Sequence, residues 1–217
     1  MRKMRRDVGD YAFYCRPGTN DYGIVERIFG RNGYRLPEDM RGKVVVDVGA
    51  HIGSVSILAS LRGASVYAYE PCSDNFESLL MNMIENRAYA IEAHKLGVGV
   101  PGERKLYLDF VNRGQNTLFL DINDFPHDVC EVVEVVSLNS VFKDNLIPRC
   151  TLLKLDCEGA EREILDEVID GLHQVVDTIA LEILEDSEKY LALLEPLYTI
   201  EKTGADEYLL VSRRFDL

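Results

Sequence analysis

The chain has 217 residues, enough for one substantial core and few enough to form a single domain. An apolar share of 47% and a charged share of 28% are those of a water-soluble globular protein. A net charge of −13, with a pI of about 4.8, repels phosphate backbones and weighs against DNA or RNA as the substrate.

The basic run MRKMRR at the start is a local exception, where a solvated terminus competes with a partner contact. The five cysteines (Cys15, Cys72, Cys130, Cys150 and Cys157) are odd in number and lack C-x-x-C spacing. That argues against a disulfide framework or zinc site and fits a reducing, cytoplasmic setting. No apolar run approaches the roughly 18 residues of a membrane span, so neither a span nor export is expected.

Residues 1–42 are irregular in pattern and form an expected N-terminal extension, which packs on the main sheet or covers its mouth. Asn20 or Asp21 can cap a short helix burying Ile24, Val25, Ile28 and Phe29. Tyr11, Tyr14 and Tyr22 offer an aromatic patch that covers apolar surface or closes over a substrate. From Lys43 to Leu217 the α/β alternation of one main domain sets in. Val44 to Val48 reads as a central parallel strand and Ile52 to Leu61 as a helix. Ser65 to Tyr69 is the next strand. Ser73 to Glu85 follows as a helix, with Asp74 and Glu77 at capping-box spacing and a buried stripe of Phe76, Leu79, Leu80 and Met83. Extended stretches follow at 90–96, 104–110 and 132–138, the last two separated by a loop. Leu152 to Leu155 is a core strand with a helix from Glu161 to Ile169. Val175 to Ile183 is another strand, Ser187 to Leu194 a helix, and Thr199 to Lys202 with Tyr208 to Ser212 a closing hairpin around Gly204.

Ligands of open α/β sheets bind beyond the carboxyl ends of the strands. The segment DVGAHIG, Asp47 to Gly53, sits at such an end. Its spacing is D-x-G-x-x-x-G rather than the G-x-G-x-x-G of a pyrophosphate site, which speaks against an NAD-dependent oxidoreductase. Asp47 suits an ammonium or a bridging water. Glu70, at the next strand end, can accept two hydrogen bonds from the vicinal hydroxyls of a ribose. A ligand with a ribose and no phosphate is S-adenosylmethionine.

These residues resemble the class I S-adenosylmethionine-dependent methyltransferases, and more narrowly the FkbM-type family. The resemblance rests on DVGAHIG, on Glu70–Pro71, and on KLDCEGAE from Lys154 to Glu161, and spans about two thirds of the chain. It implies an open, mostly parallel seven-stranded sheet with helices on both faces, with S-adenosyl-L-methionine as cofactor. It also implies methylation, often of an oxygen on a sugar or other small molecule. By matching position, Asp47, Gly49, Ala50, His51, Gly53, Glu70 and Pro71 form the cofactor side. His51 stands where the family usually has Asn.

For the acceptor side, Asp156 is the leading base for a hydroxyl proton, His51 the second, and Lys154 orients Asp156 or neutralises a developing oxyanion. A Lys154–Glu161 ion pair is the structural alternative. Asn116, Glu158 and Glu182 are expected to contact the acceptor, with Thr117 beside them. His94 and His127 are expected to pack or face solvent. Asp156, Glu158 and Glu182 are carboxylates of the kind that suit a magnesium ion, but no metal is expected. The expected partner is a small-molecule acceptor, with nucleic acid and membrane disfavoured; a homodimer has no sequence signal for or against it. RNA methylation on the same fold and a non-catalytic binding protein are the competing functions.

Overall fold

The computed structural model describes residues 3–109, 116–119 and 129–213. Phe110, the loop residues 112–115 and His127 lie outside them.

The chain opens with a hairpin, β1 (Met4–Val8) and β2 (Tyr11–Cys15), then a short helix α1 (Asp21–Val25) running into a π-helical turn at Glu26–Gly30. The α/β body follows: β3 (Val44–Val48), α2 (Ser54–Leu61), β4 (Ser65–Tyr69), α3 (Ser73–Glu85) and β5 (Ile91–His94). Next come β6 (Gly97–Val98), β7 (Gly102–Tyr107), β8 (Cys130–Val136) and α4 (Leu138–Asp144). The last part is β9 (Cys150–Leu155), α5 (Glu161–Val168), α6 (Leu172–Val175), β10 (Val176–Glu182), α7 (Ser187–Leu194), β11 (Tyr198–Lys202) and β12 (Glu207–Ser212).

The main sheet has seven strands in the order β11-β12-β10-β9-β3-β4-β5. It is parallel from β10 to β5, while β12 runs antiparallel to both its neighbours. The chain winds outward from β3 through β4 to β5, then crosses to β9 on the other side of β3. The reversal point, where such sheets bind ligands, is therefore between β3 and β9. A separate three-stranded sheet, β6-β8-β7, stands beside it.

Alternating residues of the central strands feed two cores. Val46, Val48, Leu153, Leu155, Ile179 and Leu181 pack with α4, α5 and α7. Val45, Leu152 and Ala180 face the opposite side, toward Ile57, Leu58 and Leu79 of α2 and α3. This two-sided burial is the period-2 signature of a strand covered on both faces. Phe13, Cys15, Val25, Ile28, Leu36 and Met40 of the N-terminal segment join the second core. Consistent with that cover, α2 is buried from Ser54 to Ala59.

Several local expectations need correction. The hairpin β1–β2 and helix α4 carry no pattern recognised in the sequence. Helix α2 starts at Ser54 rather than Ile52, because His51 and Gly53 hold left-handed φ values of +53° and +89°. Leu80 of α3 is exposed, and the buried face carries Asn75, Ser78, Leu79 and Asn82. Polar residues can face inward there because Asn82 Oδ1 accepts from Tyr14 N at 2.6 Å and its Nδ2 donates to Ile52 O at 3.0 Å. No capping box forms: Asp74 pairs with Arg16 at 3.2 Å instead. Asn20 occupies the position before α1 without a side-chain capping bond. Among the described residues no helix is long and apolar enough to cross a membrane.

Candidate functional site

Two clefts open at the reversal point. The first has about 500 Å³ of empty space, counting its mouth, and is lined by Val48, Gly49, His51, Tyr69, Glu70 and Pro71 on one side. Leu106, Asn116 and Leu118 line it as well. The second has about 730 Å³ and brings Arg27 and Tyr34 of the N-terminal segment against Lys154, Asp156, Glu158, Glu182 and Glu207. Gly49, His51, Asp156 and Glu158 line both, so the clefts meet at those residues.

The turn after β3 is shaped by backbone demands. Gly49 has φ +76°, and a Cβ there would lie 1.9 Å from the Asp156 carbonyl oxygen. Only glycine lets the β3 and β9 ends approach so closely. The amides of Gly49 and Ala50 both donate to Tyr69 O at 3.0 Å, fastening the turn to β4. Residue 51 sits in the left-handed region that Asn, Asp and His tolerate best, which is a physical reason for His to replace Asn there. Gly53 lines neither cleft; a Cβ on it would meet Leu79 Cδ1 at 2.3 Å. Ala50 lines the second cleft.

Glu70 is buried, and its carboxylate spans the turn: Oε2 accepts from His51 N at 2.8 Å, and Oε1 from Cys72 N at 2.9 Å and Asn75 Nδ2 at 3.2 Å. Burial pushes its carboxyl up, against the pull of His51 and these donors. Asp47 lines neither cleft. It is fully buried, accepts from Ser56 Oγ at 2.5 Å and faces Lys154 Nζ at 3.3 Å.

Lys154 and Asp156 point the same way from the end of β9. Lys154 Nζ lies 3.3 Å from Asp156 Oδ2 and donates to Gly49 O at 2.8 Å and Val48 O at 3.2 Å. Burial alone would lower its pKa, but Asp156 and Asp47 hold it above the ordinary lysine value, so it stays charged. Asp156 also accepts from the Tyr34 hydroxyl at 2.8 Å. Burial pushes the Asp156 carboxyl up; the Lys154 charge and the Tyr34 bond outweigh it and hold it below the usual range. The expected Lys154–Glu161 ion pair does not form. Glu161 Oε1 accepts from Cys157 N and Oε2 from Gly159 N, at 2.5 and 2.7 Å.

Glu158 takes a left-handed φ of +57°. Burial first, then Asp156 and Glu182, push its carboxyl up to about 9. Glu182 is raised as well, by burial and by Asp156 and Glu207. Asn116 Oδ1 accepts from Asp109 N at 2.9 Å, and Thr117 Oγ1 donates to Glu158 O at 2.6 Å. Asn116 Nδ2 and His51 Nδ1 are buried and have no hydrogen-bond partner among the described residues. His94 stacks on Tyr69, with ring centroids 4.6 Å apart. Tyr11 packs on Phe29 and Tyr14 reaches Glu85, while Tyr34, Arg27 and Arg16 were not picked out in the sequence and Asp21 was singled out only as a helix cap. Nothing local marks them, because their role comes from a fold-back of the N-terminal segment.

Residues 47–201 match the family model described as the Methyltransferase FkbM domain. Methyltransferase 1 of Beauveria bassiana is 26% identical over 201 residues, covering 81% of this chain and 79% of that protein. The hexuronic acid methyltransferase AglP of Haloferax volcanii is 25% identical over 196 residues, covering 82% of this chain and 74% of AglP. Among solved structures, the Pyrococcus abyssi tRNA (uracil-54, C5)-methyltransferase, in complex with S-adenosyl-L-homocysteine, superposes with a TM-score of 0.50 at 10% identity. That match covers 97% of this chain and 44% of the other, and it is a likeness of fold.

Proposed function

The chain belongs to the FkbM family of S-adenosylmethionine-dependent methyltransferases, and from that premise we propose that it methylates a hydroxyl of a small, polar acceptor such as a sugar. The observation that carries this reading is the meeting of the two clefts at Gly49, His51, Asp156 and Glu158. The first cleft is the cofactor side. Its residues suit the cofactor: Glu70 presents a carboxylate for ribose hydroxyls, and the unpartnered nitrogens of His51 and Asn116 offer hydrogen bonds. When bound, S-adenosylmethionine supplies an electrophilic methyl group on a sulfonium.

The protein's own part is to align an acceptor oxygen and take its proton. Asp156 is the base. Its carboxylate is ionised, touches the second cleft, and is steadied by Tyr34 and Lys154. Lys154 holds Asp156 and the Gly49 turn in register. Glu158 and Glu182, with the Arg27 guanidinium, give the second cleft carboxyl and guanidinium groups that can hydrogen-bond a polyhydroxylated acceptor. Residues 1–42 act as its cover, and 43–217 as the methyltransferase domain. The similarity to AglP, a hexuronic acid methyltransferase by name, supports a sugar-like acceptor.

RNA methylation is the second reading, favoured by the basic residues of β1. Just before and within β1, however, Lys3 pairs with Glu77, and Arg5 with Asp7 and Glu85. The test is transfer of a labelled methyl group from S-adenosylmethionine to a panel of sugars and uronic acids, and to bulk tRNA and rRNA. Label on the sugars and not the RNA supports the first reading; label on the RNA alone replaces it with the second.

A further inference from the structure

The N-terminal segment reaches the site through one buried arginine. Arg16, at the end of β2, is fully buried at its side chain, and all five of its guanidinium hydrogens have an acceptor. Nε donates to Asp21 Oδ2 at 2.8 Å. Nη1 donates to Asn75 Oδ1 at 2.7 Å and Asp74 Oδ2 at 3.2 Å. Nη2 donates to Asp21 Oδ1 at 2.8 Å, and its second hydrogen meets His51 Nε2 at 3.1 Å. A guanidinium has no lone pair to offer, so a hydrogen bond across this last contact takes Nε2 as the acceptor and puts the imidazole proton on Nδ1. Asp21 Oδ1 lies 3.3 Å from the same Nε2, bridged to it by the Arg16 donor. His51 Nδ1 is then a buried N–H with no partner among the described residues, on a side chain that lines both clefts.

A buried donor left without an acceptor is costly, and a ligand that supplies one gains by it. The surroundings say which part of the ligand that is. Glu70 and Asp156 suit the cationic groups of S-adenosylmethionine but repel its carboxylate, which needs an N–H donor of its own. Asn116, the other unpartnered donor, lines only the first cleft, whereas His51 stands at the junction with the acceptor cleft. The sulfur and the amino-acid portion of the cofactor belong at that junction if the methyl group is to cross it.

We propose that Arg16 and Asp21 are positioning residues that fix His51 as a hydrogen-bond donor, and that His51 Nδ1–H binds the carboxylate of the cofactor's amino-acid portion. The inference rests on the assignment of the first cleft to the cofactor. The N-terminal segment thereby completes the cofactor site from a distance in sequence, and His51 orients rather than accepts a proton.

The experiment has a ligand-free part and a binding part. Long-range nitrogen–proton NMR of the histidine-labelled protein at pH 8 should show the His51 proton on Nδ1. A proton on Nε2 would instead make Asp21 its acceptor and overturn the proposal. Calorimetry then compares S-adenosylhomocysteine with methylthioadenosine, which lacks the amino-acid portion. His51→Ala should weaken the first by about tenfold or more and leave the second within about twofold. His51→Asn, which tolerates the left-handed turn and offers an N–H, should restore most of the affinity. Asp21→Asn should weaken S-adenosylhomocysteine selectively and spread the proton over both ring nitrogens. Equal losses for both ligands, or none for either, would overturn the carboxylate assignment. A parent protein that binds neither ligand would instead refute the assignment of the cleft itself, and the proposal with it.

Discussion

The Tyr34 hydroxyl donates to Asp156 Oδ2 across 2.8 Å, tying the N-terminal segment to the end of the central strand β9. Tyr34 thus stabilises the ionised form of the proposed base, together with Lys154. Tyr34→Phe removes a bond made to the charged carboxylate, so the Asp156 pKa should rise. The acid limb of the kcat profile should move to higher pH, while cofactor affinity stays near the parent value. An unmoved acid limb would separate Tyr34 from the base.

Asp156→Asn should spare cofactor binding and lower kcat by about a hundredfold or more, the usual worth of a positioned base. Calorimetry with S-adenosylhomocysteine and turnover on the identified acceptor read the two effects separately. Full turnover would transfer the base role elsewhere.

Glu158 gives a pH dependence of stability. Its folded-state carboxyl is pushed up to about 9, so the folded chain keeps a proton that the unfolded chain releases. The stability this contributes is fully present below the ordinary carboxylate range and is lost as pH rises through about 9. Glu158→Gln cannot lose that proton. The variant should match the parent near pH 5 and melt several degrees higher near pH 9. Parallel melting curves at both pH values would contradict the raised carboxyl.

Gly49→Ala tests the close approach of β3 and β9. A methyl group 1.9 Å from the Asp156 carbonyl oxygen, at a φ of +76°, forces the strand ends apart. Denaturant unfolding should show a loss of more than about 2 kcal/mol. A loss of a few tenths would mean that the turn is free to shift.

The main sheet was readable because its strands are short runs of apolar and β-branched residues bounded by turns; Val44–Val48, Ser65–Tyr69 and the helix Ser187–Leu194 appear with the expected bounds. The hairpin β1–β2 was not, because MRRDV is exposed along its first four residues and lacks strand alternation. Part of the site was equally visible. Gly49, Glu70 and Asp156 stand at strand ends, and strand ends are marked in the sequence. Asp47 illustrates the opposite case. Its motif position suggested a ligand contact, yet the side chain is buried against Ser56 and Lys154, since residue 47 shares its strand face with Val45 and points toward α2. Arg16 and Tyr34 were illegible for a different reason. Each acquires its distant partner only when a segment with few periodic features folds back over the sheet, reaching residues 35 and 122 positions away, whereas the Arg16–Asp21 pair is local to that segment.

The central claim is that the two clefts are a cofactor site and an acceptor site joined at His51, Asp156 and Glu158. The most direct measurement is a crystal structure of the protein with S-adenosylhomocysteine. The account predicts its ribose hydroxyls on Glu70, its sulfur at the junction, and the second cleft free beside Asp156. The nucleoside seated against Arg27, Tyr34 and Glu182 in the second cleft, or a ribose with no contact to Glu70, would contradict it.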